Sequence, residues 1–156
     1  MENLNKKIVD KLKEKKETIS FMESCTGGFL ANEITNVAGA SNVLKVSLVT
    51  YSNEYKEKFG VPKNIIDKYT VYSSKTAEEM AKKVTEFAKS NYGIGITGEL
   101  GNSLKEENKV YYCIYNLSKN QVTENTILVE PENREKMKSY VANKVLEDLW
   151  NILMKN

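Results

Sequence analysis

Not one histidine occurs in the 156 residues of this chain. That absence removes Ser-His-Asp triads, Cys-His pairs and His-ligated metals, so any proton transfer falls to Lys, Tyr or a carboxylate. Cysteine is almost as scarce. Cys25 stands in a turn-like run and Cys113, far from it, in a strand-like one, a distribution that fits reduced thiols rather than a disulfide framework. Without an imidazole nearby, Cys25 would need a lysine or a helix dipole to become a thiolate and act as a nucleophile, and a small packed residue is the favoured reading. No stretch approaches the roughly 18 apolar residues of a membrane span. The Lys- and Glu-rich N-terminus has no apolar leader pattern, so the expected location is the cytoplasm. An excess of one charge is missing too: 23 basic and 21 acidic residues are interspersed, giving a net +2, which argues against a nucleic-acid surface. Arginine occurs once, as Arg134; every other basic residue is a lysine. A guanidinium fork binds a planar anion in a way that a point charge cannot, so Arg134 is a candidate anion contact, or else a chance exception in a lysine-biased chain.

What the chain does contain is enough for one domain spanning residues 1–156, with 40% hydrophobic residues to build its core. Leu4, Ile8, Val9 and Leu12 recur at helical spacing, predicting a helix that ends near Lys15. Thr18 to Glu23 reads as a strand, Phe29 to about Asn36 as a helix, and Lys45 to Tyr51 as a second strand rich in β-branched and aromatic residues. Two short helices are expected at Asn53 to Phe59 and Lys63 to Lys68. The stripe Ala77, Met80, Ala81, Val84, Phe87 and Ala88 is the strongest helical signal. Tyr92 to Thr97 forms a third strand, Gly98 to Asn108 a loop, and Val110 to Leu117 with Val122 to Val129 a hairpin. A last helix runs from about Glu132 to Met154. Helices alternating with strands, then a hairpin, predict an α/β fold with a mixed, mostly parallel sheet covered by helices on both faces.

In such a sheet, ligands bind outside the carboxyl ends of the parallel strands. The run Glu23-Ser24-Cys25-Thr26-Gly27-Gly28 lies at one such end, joining a strand to a helix. Its unpaired N–H groups and two glycines suit a small-molecule site, or else only an ordinary helix start with Thr26 as cap. Tyr51-Ser52-Asn53 with Lys56 follows the second strand and Thr97-Gly98 the third, with the Gly39-Ala40-Ser41 turn between them in the chain. A Ser and a Lys brought together can act as nucleophile and base, provided burial lowers the lysine pKa. Lys56 lies one helical turn beyond Ser52.

These residues, in this order and spacing, resemble the CinA C-terminal domain family. The likeness rests on Glu23 to Gly28, Gly39-Ala40-Ser41, Val49 to Asn53 with Lys56, Gly60-Val61, Ile96-Thr97-Gly98 and Asn133-Arg134. It implies a three-layer αβα sandwich with about five strands, homo-oligomeric assembly as a dimer or larger, and a nicotinamide mononucleotide deamidase that needs no metal or cofactor and takes a pyridine nucleotide. By resemblance, Ser41 matches the nucleophile, Lys56 its base and Tyr51 a catalytic neighbour. Ser24, Thr26, Gly27, Gly28, Asn53, Thr97, Gly98 and Arg134 match substrate-contacting positions. Two segments depart from the family pattern. Glu99 to Lys109 replaces a small apolar residue, Ala-Gly-Pro and a glycine-rich loop, and Thr70-Val71-Tyr72-Ser73 replaces Gly-Ala-Val-Ser. The first brings a carboxylate, Glu99, to the edge of the pocket and predicts an altered substrate preference, which Lys105 or Lys109 would offset. A catalytically silent nucleotide-binding module with the same fold is the alternative.

Overall fold

The computed structural model describes residues 3–101 and 108–156, and Lys105 lies outside them. In chain order they form α1 (Leu4–Lys15), β1 (Ile19–Glu23), α2 (Phe29–Thr35), a 3-10 turn (Ala40–Asn42), β2 (Leu44–Val49), α3 (Asn53–Lys58), α4 (Lys63–Tyr69), α5 (Ser74–Ala88), β3 (Tyr92–Gly98), β4 (Asn108–Asn116), β5 (Gln121–Val129) and α6 (Arg134–Lys155). Short polar side chains start most of the helices. Asn3, Ser52, Ser73 and Asn133 each accept a hydrogen bond from a first-turn N–H, of α1, α3, α5 and α6 respectively, which satisfies a donor that has no partner inside the helix.

The strands form one sheet in the order β2-β1-β3-β4-β5. β1 is parallel to β2 and to β3, while β4 and β5 run antiparallel as the hairpin. The result is a mixed five-stranded sheet whose central strands are parallel, between two helical layers. Alternation along the strands decides which layer each side chain meets. Phe21, Ile94 and Ile96 pack with Ile8, Leu12, Leu30, Val141, Val145 and Leu149 under α1, α2 and α6, whereas Met22 joins Met80 and Val84 on the α5 side.

On that second side β3 carries Gly93 and Gly95. A Cβ on Gly93 would lie 1.8 Å from Thr85 Oγ1, and one on Gly95 would lie 2.3 Å from the Ala77 carbonyl oxygen. The two glycines, with Ala77 and Ala81 facing them, let α5 press against the sheet backbone. The helix predicted from its apolar stripe starts three residues earlier than Ala77, because Ser73 caps it.

Candidate active site

Because β1, β2 and β3 are mutually parallel, the residues after them meet at one edge of the sheet. A cleft of about 260 Å³ opens there, and Ser24, Tyr51, Asn53, Lys56, Thr97, Gly98 and Arg134 all line it. That volume lies just below the range of about 300–1,000 Å³ usual for small-molecule sites.

Lys56 is the unusual residue. It belongs to the short, otherwise solvent-facing α3, yet it is only 1% exposed. Its Nζ reaches back across the turn and donates to the Thr50 carbonyl at 2.7 Å and to Ser24 Oγ at 3.0 Å. Burial pushes its pKa below the ordinary lysine value, because removing water disfavours the charged amine. Ser52, expected to share a turn with Lys56, instead spends its side chain on capping α3.

Ser41 does not meet Lys56. It lies in the 3-10 turn before β2, on a separate groove shared with Thr35, Val37 and Leu44. Lys56 follows β2, and six residues of strand at about 3.3 Å each put roughly 20 Å between the two ends. The physical reason is topological. Two residues that flank one strand stand on opposite edges of the sheet, however close they look in the chain. The serine the structure brings to Lys56 is Ser24, which follows β1.

Glu23 precedes it, fully buried. Its carboxyl group accepts from Thr26 Oγ1 at 2.6 Å, Leu30 N at 2.9 Å and Ala31 N at 3.2 Å. Thr26 is therefore not the cap of α2. Gly28 holds the cap position without a side chain to offer, and the strand's own carboxyl closes the helix start. The N–H groups of Leu30 and Ala31 are thus engaged by the protein itself, which corrects the expectation that this helix start offers them unpaired to a small molecule. Gly27 and Gly28 have left-handed φ values of 61° and 95°. The missing side chains point at Lys138 and Val49 rather than into the cleft, so these glycines serve the turn's conformation. The one sequence cue to Glu23 was a carboxylate ending an otherwise buried strand.

The remaining residues are similarly engaged. Cys25 lines the cleft, but burial and the negative charge of Glu23 push its thiol up to about 12, so it stays protonated and is no nucleophile at neutral pH. Thr97 Oγ1 donates to the Val71 carbonyl at 2.6 Å. Arg134 is the first residue of α6; its guanidinium donates to the Leu100 carbonyl at 2.7 Å and to the Tyr51 hydroxyl at 3.3 Å. The fork thereby ties together the two walls of the cleft mouth. Glu99 lines the cleft as expected, and its backbone N–H pairs with the Lys109 carbonyl.

The family model of the CinA C-terminal domain matches residues 1–153. The chain belongs to the CinA family. A CinA-like protein of Flavobacterium psychrophilum is 37% identical over 149 residues, covering 93% of this chain and 35% of that protein. Another, from Prochlorococcus marinus, is 33% identical over 158 residues, covering 98% and 36%. This chain spans about a quarter to a third of the length of the curated CinA relatives it matches. Among solved structures, the competence/damage inducible protein CihA of Agrobacterium tumefaciens superposes with a TM-score of 0.87 at 24% identity over 95% of this chain and 92% of that one. A CinA superfamily protein of Klebsiella pneumoniae gives 0.88 at 18% identity over 98% and 97%. At those identities the likeness is one of fold, and the three-layer CinA architecture is shared throughout. No helix among the described residues is long and apolar enough to cross a membrane.

Proposed function

We propose that this CinA-family chain hydrolyses the carboxamide of a nicotinamide-type nucleotide to the acid and ammonia, with Ser24 as nucleophile and Lys56 as its base. The observation that carries the reading is the 3.0 Å contact between Ser24 Oγ and the buried Lys56 Nζ. In its neutral form the amine accepts the hydroxyl proton, and Oγ attacks the carboxamide carbon. The backbone N–H groups of Cys25 and Thr26, which follow the nucleophile, hold the developing oxyanion, since those of Ser24 and Gly27 already donate to the Ile96 and Ser24 carbonyls. The Lys56 ammonium then gives its proton to the amide nitrogen as the C–N bond breaks, and ammonia leaves. Water, deprotonated by the same amine, cleaves the acyl-Ser24 ester, and Lys56 returns the proton to Ser24 Oγ as the acid is released. Donors of Arg134 beyond those bound to Leu100 and Tyr51 attract the substrate phosphate.

Ammonia release from nicotinamide mononucleotide is the direct test. Ser24→Ala should lower turnover by at least ~100-fold, the scale of losing one half of a proton-transfer pair, while Ser41→Ala stays near the parent rate. A full-rate Ser24→Ala enzyme, or a dead but folded Ser41→Ala one, would overturn the assignment. No ammonia from any pyridine nucleotide at high protein concentration would leave a binding module instead.

A further inference from the structure

The turn between α4 and α5 is built at a cost. Thr70, a β-branched residue, has φ 64° and ψ 176°, a region occupied almost only by glycine. Such a conformation persists only where its surroundings hold it. Here the Thr70 carbonyl accepts from Thr76 Oγ1 at 2.6 Å and Ser73 Oγ at 3.0 Å, and Thr70 Oγ1 accepts from the Tyr72 N–H at 3.1 Å. Thr97, at the end of β3, fastens the neighbouring Val71 carbonyl. What these bonds hold in place is Tyr72. Its side chain lines the catalytic cleft and, with Glu99, a second cavity of about 260 Å³ that continues past Lys109 and Tyr111. Tyr72 is 52% exposed, and so is at the cleft mouth rather than in the core; Tyr51, 62% exposed, lines the same cleft. A tyrosine on an ordinary solvated surface needs no strained backbone beneath it.

We propose that Tyr72 is the specificity-determining residue of this cleft, a ring wall on which the planar, cationic ring of the amide substrate stacks, with Thr97 as the residue that positions it. The proposal rests on the amide-hydrolase reading of the same cleft and names what that reading leaves open, the kind of amide selected. A phenol face attracts a flat cation through its quadrupole and offers nothing comparable to an aliphatic amide. Thr97, matched by resemblance to a substrate contact, acts on this view through Val71 and Tyr72 rather than by touching the ligand.

The test is equilibrium binding by titration calorimetry to Ser24→Ala protein, so that nothing turns over, using nicotinamide mononucleotide and, as the non-planar control, glycinamide ribonucleotide. Adding Tyr72→Ala should weaken nicotinamide mononucleotide about 10-fold, on the scale of one ring stacked on an aromatic side chain, and leave the aliphatic nucleotide within about twofold. Tyr72→Phe should keep the parent affinity for both, because the ring and not the hydroxyl makes the contact. Equal losses for both ligands, a loss in Tyr72→Phe as large as in Tyr72→Ala, or no pyridine-nucleotide binding at all would overturn the proposal. Ring-selective binding in a protein that releases no ammonia in its parent form would instead sink the hydrolase reading and leave this one standing.

Discussion

At the scale of the residue, the proposed chemistry turns on Lys56. A lysine that is 1% exposed and whose hydrogen-bond partners among the described residues are a hydroxyl and a carbonyl is poorly placed to carry a charge, and its pKa falls accordingly. Two consequences share that cause. The kcat/KM profile should rise with pH through an apparent pKa below 10.5, the ordinary lysine value, as the neutral amine becomes available. Folding stability should rise over the same window: between the lowered folded value and the ordinary unfolded one, the unfolded chain binds more protons, so raising the pH favours the fold. Lys56→Met removes both effects. It should abolish turnover, flatten the rise of stability with pH, and leave the melting temperature at pH 7 equal to or above that of the parent, since an apolar chain of similar length no longer has to bury an amine. A Lys56→Met protein that melts well below the parent would mean the amine is structural. Cys25, beside it, is held as a thiol by burial, and burial likewise lowers the Lys56 pKa.

At the scale of the element, the start of α2 is fastened by a side chain from β1 rather than by its own cap. Glu23→Gln keeps the shape but turns a donor toward one of the N–H groups that Glu23 now satisfies, so it should cost about 1–2 kcal/mol in urea unfolding. A loss under ~0.5 kcal/mol would show that water replaces the carboxyl freely. The elements themselves were largely legible in the sequence, because their signals are periodic. Leu4 to Leu12 gave α1, the Ala77 to Ala88 stripe gave α5, and two β-rich runs gave the hairpin. The ends were less so, and the reason is local chemistry. Ser73 capping extends α5 upstream, Asn133 capping moves the start of α6 to Arg134, and β2 stops at Val49 because the Thr50 carbonyl turns to receive Lys56.

At the scale of the whole molecule, the sheet sorts residues by edge, and this is where the reading of the site by resemblance fell short. Order and spacing along the chain identified Lys56, Thr97 and Arg134, all of which line the cleft. The resemblance paired Ser41 with Lys56 across the strand read at Lys45 to Tyr51, and order and spacing could not show which serine meets Lys56 or that Glu23 would use the N–H groups offered by α2. Those facts belong to three dimensions. Charge at this scale is similarly a matter of distribution. The protein carries a net +2, and the ion pairs Lys6–Asp10, Lys58–Glu54 and Lys63–Asp67 are i,i+4 pairs with both partners half exposed or more. Pairs of this kind contribute at most a few tenths of a kcal/mol each and are screened by salt, whereas the apolar layers on both faces of the sheet are not weakened by it. Raising NaCl from about 0.1 to 1 M should therefore move the melting temperature by no more than ~2 °C, while the affinity for a phosphorylated ligand at Arg134 drops severalfold over the same range. A large fall in melting temperature would show that surface charge, and not the two buried layers, carries the fold.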